Sequence, residues 1–327
     1  MSGFRNQLLD WTAQGRLPAS ALPAALQLAE VAPAGGDWRH FFDRLCLWLG
    51  AIFLAAAVIF FFAYNWQEMG RFAKFGLVEL LIAGTALLAW RLGLEHASGK
   101  AALLAIALLI GALLALVGQT YQTGADTYEL FAAWAIAILP LAAVGRFGAL
   151  WLFWTGLLNL ALVFYFQTFG GIFGLLFSTE KQLWALFALN TAALCVWEIC
   201  AWRWVGWLQQ GSFARWPPRI WAVASGGLVT ALALYSIFEF YRSGATAALV
   251  YLLWIAAAYA VYRHALRDIF VLVGGVLSAI IVVSALLSKL MLSHDEGGAF
   301  LLIGMIVIGL SAAGGLWLKK VATEDAQ

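Results

Sequence analysis

The sequence predicts an all-α fold: a polytopic transmembrane helix bundle of about ten spans, preceded by a short cytoplasmic helical segment. Three observations predict it. Of the 327 residues, 64% are hydrophobic and only 11% are charged, against about 25% charged in soluble domains. Apolar runs close to the ~20 residues that a bilayer-crossing helix needs recur along nearly the whole chain after residue 45. These runs are continuous, whereas barrel strands alternate apolar and polar residues over short segments, so helices are the crossing elements.

Residues 1–42 read as a separate cytoplasmic amphipathic segment. Phe4, Leu8 and Trp11 recur at helical spacing, GRLP (15–18) punctuates, and Ser20 is placed to cap a second short helix carrying Leu22 and Leu26. No continuous apolar core of a cleaved signal peptide is present in this stretch. The bundle itself is assigned to 43–320 and a cytoplasmic tail to 321–327. Its expected spans are 46–64, 72–91, 100–118, 127–144, 148–168, 182–201, 219–239, 245–262, 269–288 and 299–318. GIFGLLFS (171–178) is too short to cross and reads as interfacial or re-entrant. The loop WRWVGWLQQGSFARWPPRIW (202–221) mixes tryptophan, which favours the headgroup level, with arginine, which favours anionic lipid; this points to lipid anchoring.

The basic residues set the orientation. With the N-terminus inside, the outer loops hold Arg71, Lys74, Lys181, Arg242 and Lys289, while the other fourteen of the nineteen Lys and Arg residues fall on cytoplasmic segments. Such a split along short loops is what the positive-inside rule demands, so both termini are expected in the cytoplasm.

GQTYQTGADTYELFAAW (118–134) breaks the hydrocarbon pattern and lies between the third and fourth spans, at the outer surface in this topology. Asp126 and Glu129 have capping-box spacing and complement the positive end of the following helix. Gly118 and Gly124 permit bends; Tyr121 and Tyr128 suit an aromatic belt. A cap needs only two or three residues, however, and Gln119, Thr120, Gln122 and Thr123 add further donors and acceptors. Two readings stand side by side: a capped loop, or a small outward-facing polar pocket. The neighbouring outer loop YNWQEMGRFAKF (64–75) supplies Glu68 and Arg71, three residues apart, either as a local pair or as further walls of that pocket.

Inside the spans, Glu79 stands out. A charge near mid-helix costs about 2.5–3.5 kcal/mol on insertion scales, so intramembrane acids usually face the bundle interior with a partner. Asn159 and Asn190, in consecutive antiparallel spans, should meet at one depth as interhelical glue, and the glycines at 226, 227, 274, 275, 309 and 314 suit close packing. Cys46, Cys195 and Cys200 have no metal-ligand spacing. His294, Asp295 and Glu296 are adjacent and read as a solvated turn. Phosphate loops, HExxH helices, nucleophile elbows and dinucleotide fingerprints are missing, so no catalytic residue, metal ligand, cofactor or nucleic-acid partner is assigned.

Three stretches, LLDWTAQGRLPASALPAALQLAE, YNWQEMGRFAKF and GQTYQTGADTYELFAAW, together resemble the predicted bacterial membrane family catalogued as domain of unknown function 2157 (DUF2157). The motifs cover the first half of the chain, to about residue 145. Family members often carry an acidic residue directly after the Asn-Trp pair; here Gln67 stands there and Glu68 follows. The resemblance implies a multi-pass protein of the bacterial inner membrane and brings no activity with it.

Three functions compete. The leading one is a transporter-like or solute-sensing protein with an outward-facing polar site drawn from Gln119, Tyr121, Gln122, Asp126, Tyr128 and Glu129, with Glu68, Arg71 and Glu79 as further candidates. Carboxylates with amides suit a small polar or cationic solute. The second is a noncatalytic scaffold or partner subunit that docks an envelope protein. The third, an intramembrane enzyme acting on a lipid-linked substrate, would need Glu79, Asp126 or Glu129 as its acid or base.

Overall fold

The computed structural model describes residues 2–29, 35–64, 70–170, 179–203, 215–238, 244–291 and 296–324. Among these the chain forms twelve α-helices and no strand. A small hairpin comes first, made of α1 (Ser2–Ala13) and α2 (Leu22–Leu28). Gly15, at φ 69°, turns the chain, and Arg16 N–H closes onto the Trp11 carbonyl at 2.8 Å. Ser20 is not the cap expected of it. It lies inside a 3₁₀ turn, Ala19–Ala21, and α2 starts after Ala21 with a proline in its first turn, where the missing N–H costs nothing.

Ten longer helices are apolar enough to cross a bilayer: α3 (Gly35–Tyr64), α4 (Arg71–Leu92), α5 (Ala97–Tyr121), α6 (Thr127–Gly145), α7 (Gly148–Gly170), α8 (Thr179–Arg203), α9 (Trp216–Phe238), α10 (Gly244–Ala260), α11 (Ile269–Met291) and α12 (Glu296–Glu324). Every expected span falls on one of them. The helices run past the hydrocarbon stretches at some ends: α3 starts at Gly35, and α12 continues to Glu324. The segment 171–178, the tryptophan-rich loop over 204–214 and the His294–Asp295 pair lie outside the described residues.

The chain divides into two compact units, one reaching to Leu116 and including the segment after Ala322, the other Val117–Ala322. In the first, Val78 and Leu116 are buried, with Val58, Phe75, Ile82 and Leu113 packed against them, so α3, α4 and α5 share one core. Large apolar side chains such as Phe53, Leu54, Phe60, Phe72, Leu80 and Trp90 are exposed. This is the pattern expected when the surrounding medium is hydrocarbon, because burial then gains no hydrophobic energy.

In the second unit α6 and α7 form an antiparallel hairpin. Phe131 stacks on Phe164 at 5.3 Å, and the Trp154 indole N–H donates to the Ala135 carbonyl at 3.0 Å. α9 is the centre, packing against α8, α10 and α11. Two glycines permit its approach: a Cβ on Gly226 would sit 2.8 Å from the Trp254 ring, and one on Gly148 would sit 2.3 Å from Pro217 Cγ. One core layer holds Phe187, Val229, Leu232 and Tyr251. Another, nearer the 203–215 end, holds Trp197, Trp221, Tyr262, Leu272 and Val321. α10 ends in a π-helical turn, Val261–Ala265, and the wider turn is where a functional irregularity is commonly found.

Candidate functional site

The polar patch is built by the end of α5, the turn after it and the start of α6. Gln122 ends the α5 helix in the left-handed region at φ 46°, and Gly124 follows at φ 66°. The first of these is a conformation that L side chains adopt at a cost. Asp126 and Glu129 form the capping box their spacing predicts, with the Asp126 N–H donating to Glu129 Oε2 at 3.2 Å. The Tyr128 hydroxyl donates to Glu129 Oε1 at 3.4 Å, and its ring rests edge-on against Tyr165 of α7 at 5.2 Å. Asp126, Tyr128 and Glu129 are therefore brought together. Gln119, Tyr121 and Gln122 are exposed beside them, while the Thr120 hydroxyl is buried with no hydrogen-bond partner among the described residues.

The other candidates belong to the first unit. Glu68 lies outside the described residues. Arg71 opens α4 and is exposed. Glu79, eight residues further on and so about 12 Å along the helix, is also exposed. The expectation that it would face a packed interior with a partner is not met, since no hydrogen bond or ion pair involves it among the described residues. Asn159 and Asn190 do meet: Asn190 Nδ2 donates to Asn159 Oδ1 at 2.6 Å and Asn159 Nδ2 returns a bond at 3.3 Å. Each amide also reaches back to a carbonyl of its own helix, at 2.8 and 2.9 Å.

At the other end of the second unit is a charged cluster that sequence reasoning missed. Asp268, only 2% exposed, lies between the π-turn and α11. It accepts from Arg215 Nε at 2.9 Å and from Arg219 Nε at 3.0 Å, and its Oδ1 takes the Phe270 N–H at 3.1 Å, capping α11. Arg215 also donates through Nη2 to Glu198 of α8 at 2.9 Å, and the Tyr262 hydroxyl donates to the same Glu198 oxygen at 3.1 Å. Arg219 sits over the Phe270 ring at 5.5 Å. Two carboxylates thus meet two guanidiniums across α8, α9, the π-turn and the start of α11. Burial pushes the Asp268 carboxyl up, but the hydrogen bonds from Arg219 and Arg215 and their charges outweigh it, holding it below its ordinary value of 3.8. Burial works against the Arg215 cation, and the bond to Asp268 with the charge of Glu198 more than offsets this, so its pKa is raised.

Between these two ends runs a chain of hydroxyls. The Tyr251 hydroxyl lies 3.1 Å from Ser278 Oγ, Ser278 Oγ lies 2.6 Å from Thr230 Oγ1, and Thr230 donates to the Gly226 carbonyl at 2.6 Å. With Thr230's proton committed to that carbonyl, Ser278 donates to Thr230 and Tyr251 donates to Ser278, giving one direction of polarity from α10 through α11 to α9. Ser225, beside Gly226, is fully buried with its hydroxyl unpartnered among the described residues. The sequence signal that could have found the charged cluster is the rule that singled out Glu79. Glu198 interrupts an apolar run in the same way, and intramembrane acids call for a named partner.

Residues 9–151 match the family model described as a predicted membrane protein (DUF2157), so the resemblance carried by the three quoted stretches holds over that part of the chain. No curated protein and no solved structure matches it.

Proposed function

We propose that this multi-pass membrane protein is transporter-like or solute-sensing, set in a bacterial inner membrane with both termini in the cytoplasm, and opens a polar site outward around Gln119, Gln122, Asp126 and Glu129. The observation that carries the reading is the asymmetry of the second unit. Its polar end at α5–α6 is exposed, whereas its opposite end is held by ion pairs that join α8, α9 and the start of α11 through the buried Asp268. An alternating-access device needs one face held closed by contacts that can be exchanged for others. The buried Thr120 hydroxyl and the strained Gln122 backbone add an unsatisfied group and a costly conformation at the open face, both of which suit a ligand contact. Carboxylates beside amides favour a small polar or cationic solute.

The test uses single cysteines in a background lacking the native three. A cysteine at position 122 should react with a membrane-impermeant thiol reagent in intact cells. Ser278→Cys should be unreactive in inside-out vesicles and become reactive when Asp268→Asn releases the closed end. The reading fails if position 122 reacts only after lysis. It also fails if Ser278→Cys stays unreactive with the lock released while Asp126→Ala/Glu129→Ala leaves growth and uptake profiles unchanged at normal protein level.

A second reading, a scaffold or partner subunit, is favoured by Glu79. A carboxyl group exposed near the middle of a span, with no hydrogen bond or ion pair among the described residues, calls for a hydrogen-bond donor or cation from another chain. A photocrosslinker at Ala83, one turn along the same face, should trap one defined envelope protein. Labelling of lipid alone would remove this reading.

A further inference from the structure

The geometry points to a buried water-binding site on α9, between the Trp221 indole N–H and the Ser225 hydroxyl. Both side chains are closed off from solvent, Trp221 at 3% exposure and Ser225 at 0%, and neither polar atom has a hydrogen-bond partner among the described residues. Other groups of these kinds are satisfied. The indoles of Trp154 and Trp184 donate to Ala135 and Glu180, and Thr12, Thr85, Thr155 and Thr230 each donate to the carbonyl four residues back. For Ser225 that carbonyl belongs to Trp221, and the hydroxyl does not take it. Two bare polar groups one turn apart would carry the desolvation penalty twice, and buried polar groups in folded proteins are almost always paired with protein or with ordered water.

The surroundings decide what fits. Trp221 shares its core layer with Leu194, Ala222, Val271 and Leu272, whose side chains offer no acceptor, and the Tyr262 hydroxyl of that layer is committed to Glu198. An indole N–H only donates, which rejects a cation. An anion there would need a countercharge, and Arg215 and Arg219 are already held by Glu198 and Asp268. Water both accepts and donates. It takes the indole N–H and bonds Ser225 Oγ, and the second lone pair of the Trp221 carbonyl, in the same turn, brings the total to the ~3 partners that a buried water typically has. Ser225 lies about 6 Å along the helix from Trp221, and two hydrogen bonds through one oxygen, about 2.9 Å each, cover that span. Along α9 the water stands between Arg219, in the charged cluster, and Gly226, whose carbonyl ends the Tyr251–Ser278–Thr230 chain. It fills the axial step between the two buried polar networks, whether or not the protein carries a solute.

The experiment compares the full chain in mild detergent with its Ser225→Ala variant by infrared difference spectroscopy, in ordinary water and in heavy-oxygen water. A water O–H stretch that is lost in Ser225→Ala and shifts with the oxygen isotope is expected. Ultraviolet resonance Raman of the same pair should show one indole N–H passing from bonded to free. Equilibrium unfolding adds the sign. Ser225→Ala should lower the folding equilibrium constant about fivefold, because deleting one partner strands the other, whereas removing a hydroxyl that had no partner is neutral or stabilising. In a Trp221→Phe background the same substitution should cost less than about twofold, since the bridge is already gone. The assignment is overturned if no band moves with the oxygen isotope, if Ser225→Ala is neutral or stabilising, or if the two substitutions are additive. The spectra need no change at Trp221, so they decide the matter alone should Trp221→Phe misfold.

Discussion

Asp268→Asn is the sharpest perturbation of the second unit, because it keeps the side chain's shape and its acceptor for the Phe270 N–H while deleting the charge. The wild-type carboxylate holds two guanidinium Nε groups at 2.9 and 3.0 Å. Removing one partner from a buried ion pair costs about 3–5 kcal/mol, mostly by stranding the opposite charge. Here the stranded side chains are 35% and 42% exposed and Arg215 keeps Glu198, so water recovers part of the loss; about 2–3 kcal/mol is expected. Equilibrium unfolding in mixed micelles, followed by tryptophan fluorescence, measures the difference, since Trp197 and Trp221 pack together beside the cluster at 5.1 Å.

The pH dependence follows from the sign of the shift. Asp268 has a folded-state pKa below its ordinary 3.8, so its contribution is complete above that value and is lost as pH falls through the folded pKa. The gap between wild type and Asp268→Asn should stay constant from neutral pH down to about 4 and close only below it. A gap under about 0.5 kcal/mol, within the range of ordinary surface substitutions, or one that closes between pH 7 and 5, would refute the argument that this carboxylate fastens the closed end.

Other sites give independent checks. Asn159→Ala should cost about 0.6–2 kcal/mol in the same unfolding assay, and a double-mutant cycle with Asn190→Ala should show coupling; additive effects would mean that the amide pair is not energetically real. Gly148→Ala, whose new Cβ would fall 2.3 Å from Pro217 Cγ, should lose about 1–3 kcal/mol by overpacking, and an unchanged melting temperature would count against the close α7–α9 approach. Glu129→Ala should remove about 1 kcal/mol of local helix stability, read as faster hydrogen exchange in the first turn of α6 with little change in global unfolding.

What the sequence made legible is local. Each span could be read because a helix in lipid must satisfy its own backbone and present about 20 apolar residues, a condition written entirely within one segment. The Asp126–Glu129 cap is legible for the same reason: both partners lie within one turn. Asn159 and Asn190 became legible only through depth, since consecutive antiparallel spans bring equal distances from one surface to one level. The Asp268 cluster has no such shortcut. Arg215 and Asp268 are 53 residues apart and Tyr262 and Glu198 are 64 apart, and which of several arginines turns inward depends on how α9 seats between α8 and α11.

That difference also separates the two polar ends by the work they can do. In the α5–α6 patch the carboxylates are bonded within one turn, by the capping box and the Tyr128–Glu129 bond, while the Thr120 hydroxyl has no partner among the described residues. In the Asp268 cluster each carboxylate takes bonds from other elements, Asp268 from Arg215 and Arg219 and Glu198 from Arg215 and Tyr262. On the proposed reading, a solute contact at the first end draws on bonds local to one turn, while release at the second end involves α8, α9 and α11 together. The hydroxyl chain Tyr251–Ser278–Thr230 joins α10 and α11 to α9 between those ends. Its fixed polarity, ending on the Gly226 carbonyl, would have to break when α9 shifts against α11. Reactivity at position 278 thus reports helix movement rather than local fraying, which is why it is the decisive place to watch when Asp268 is changed.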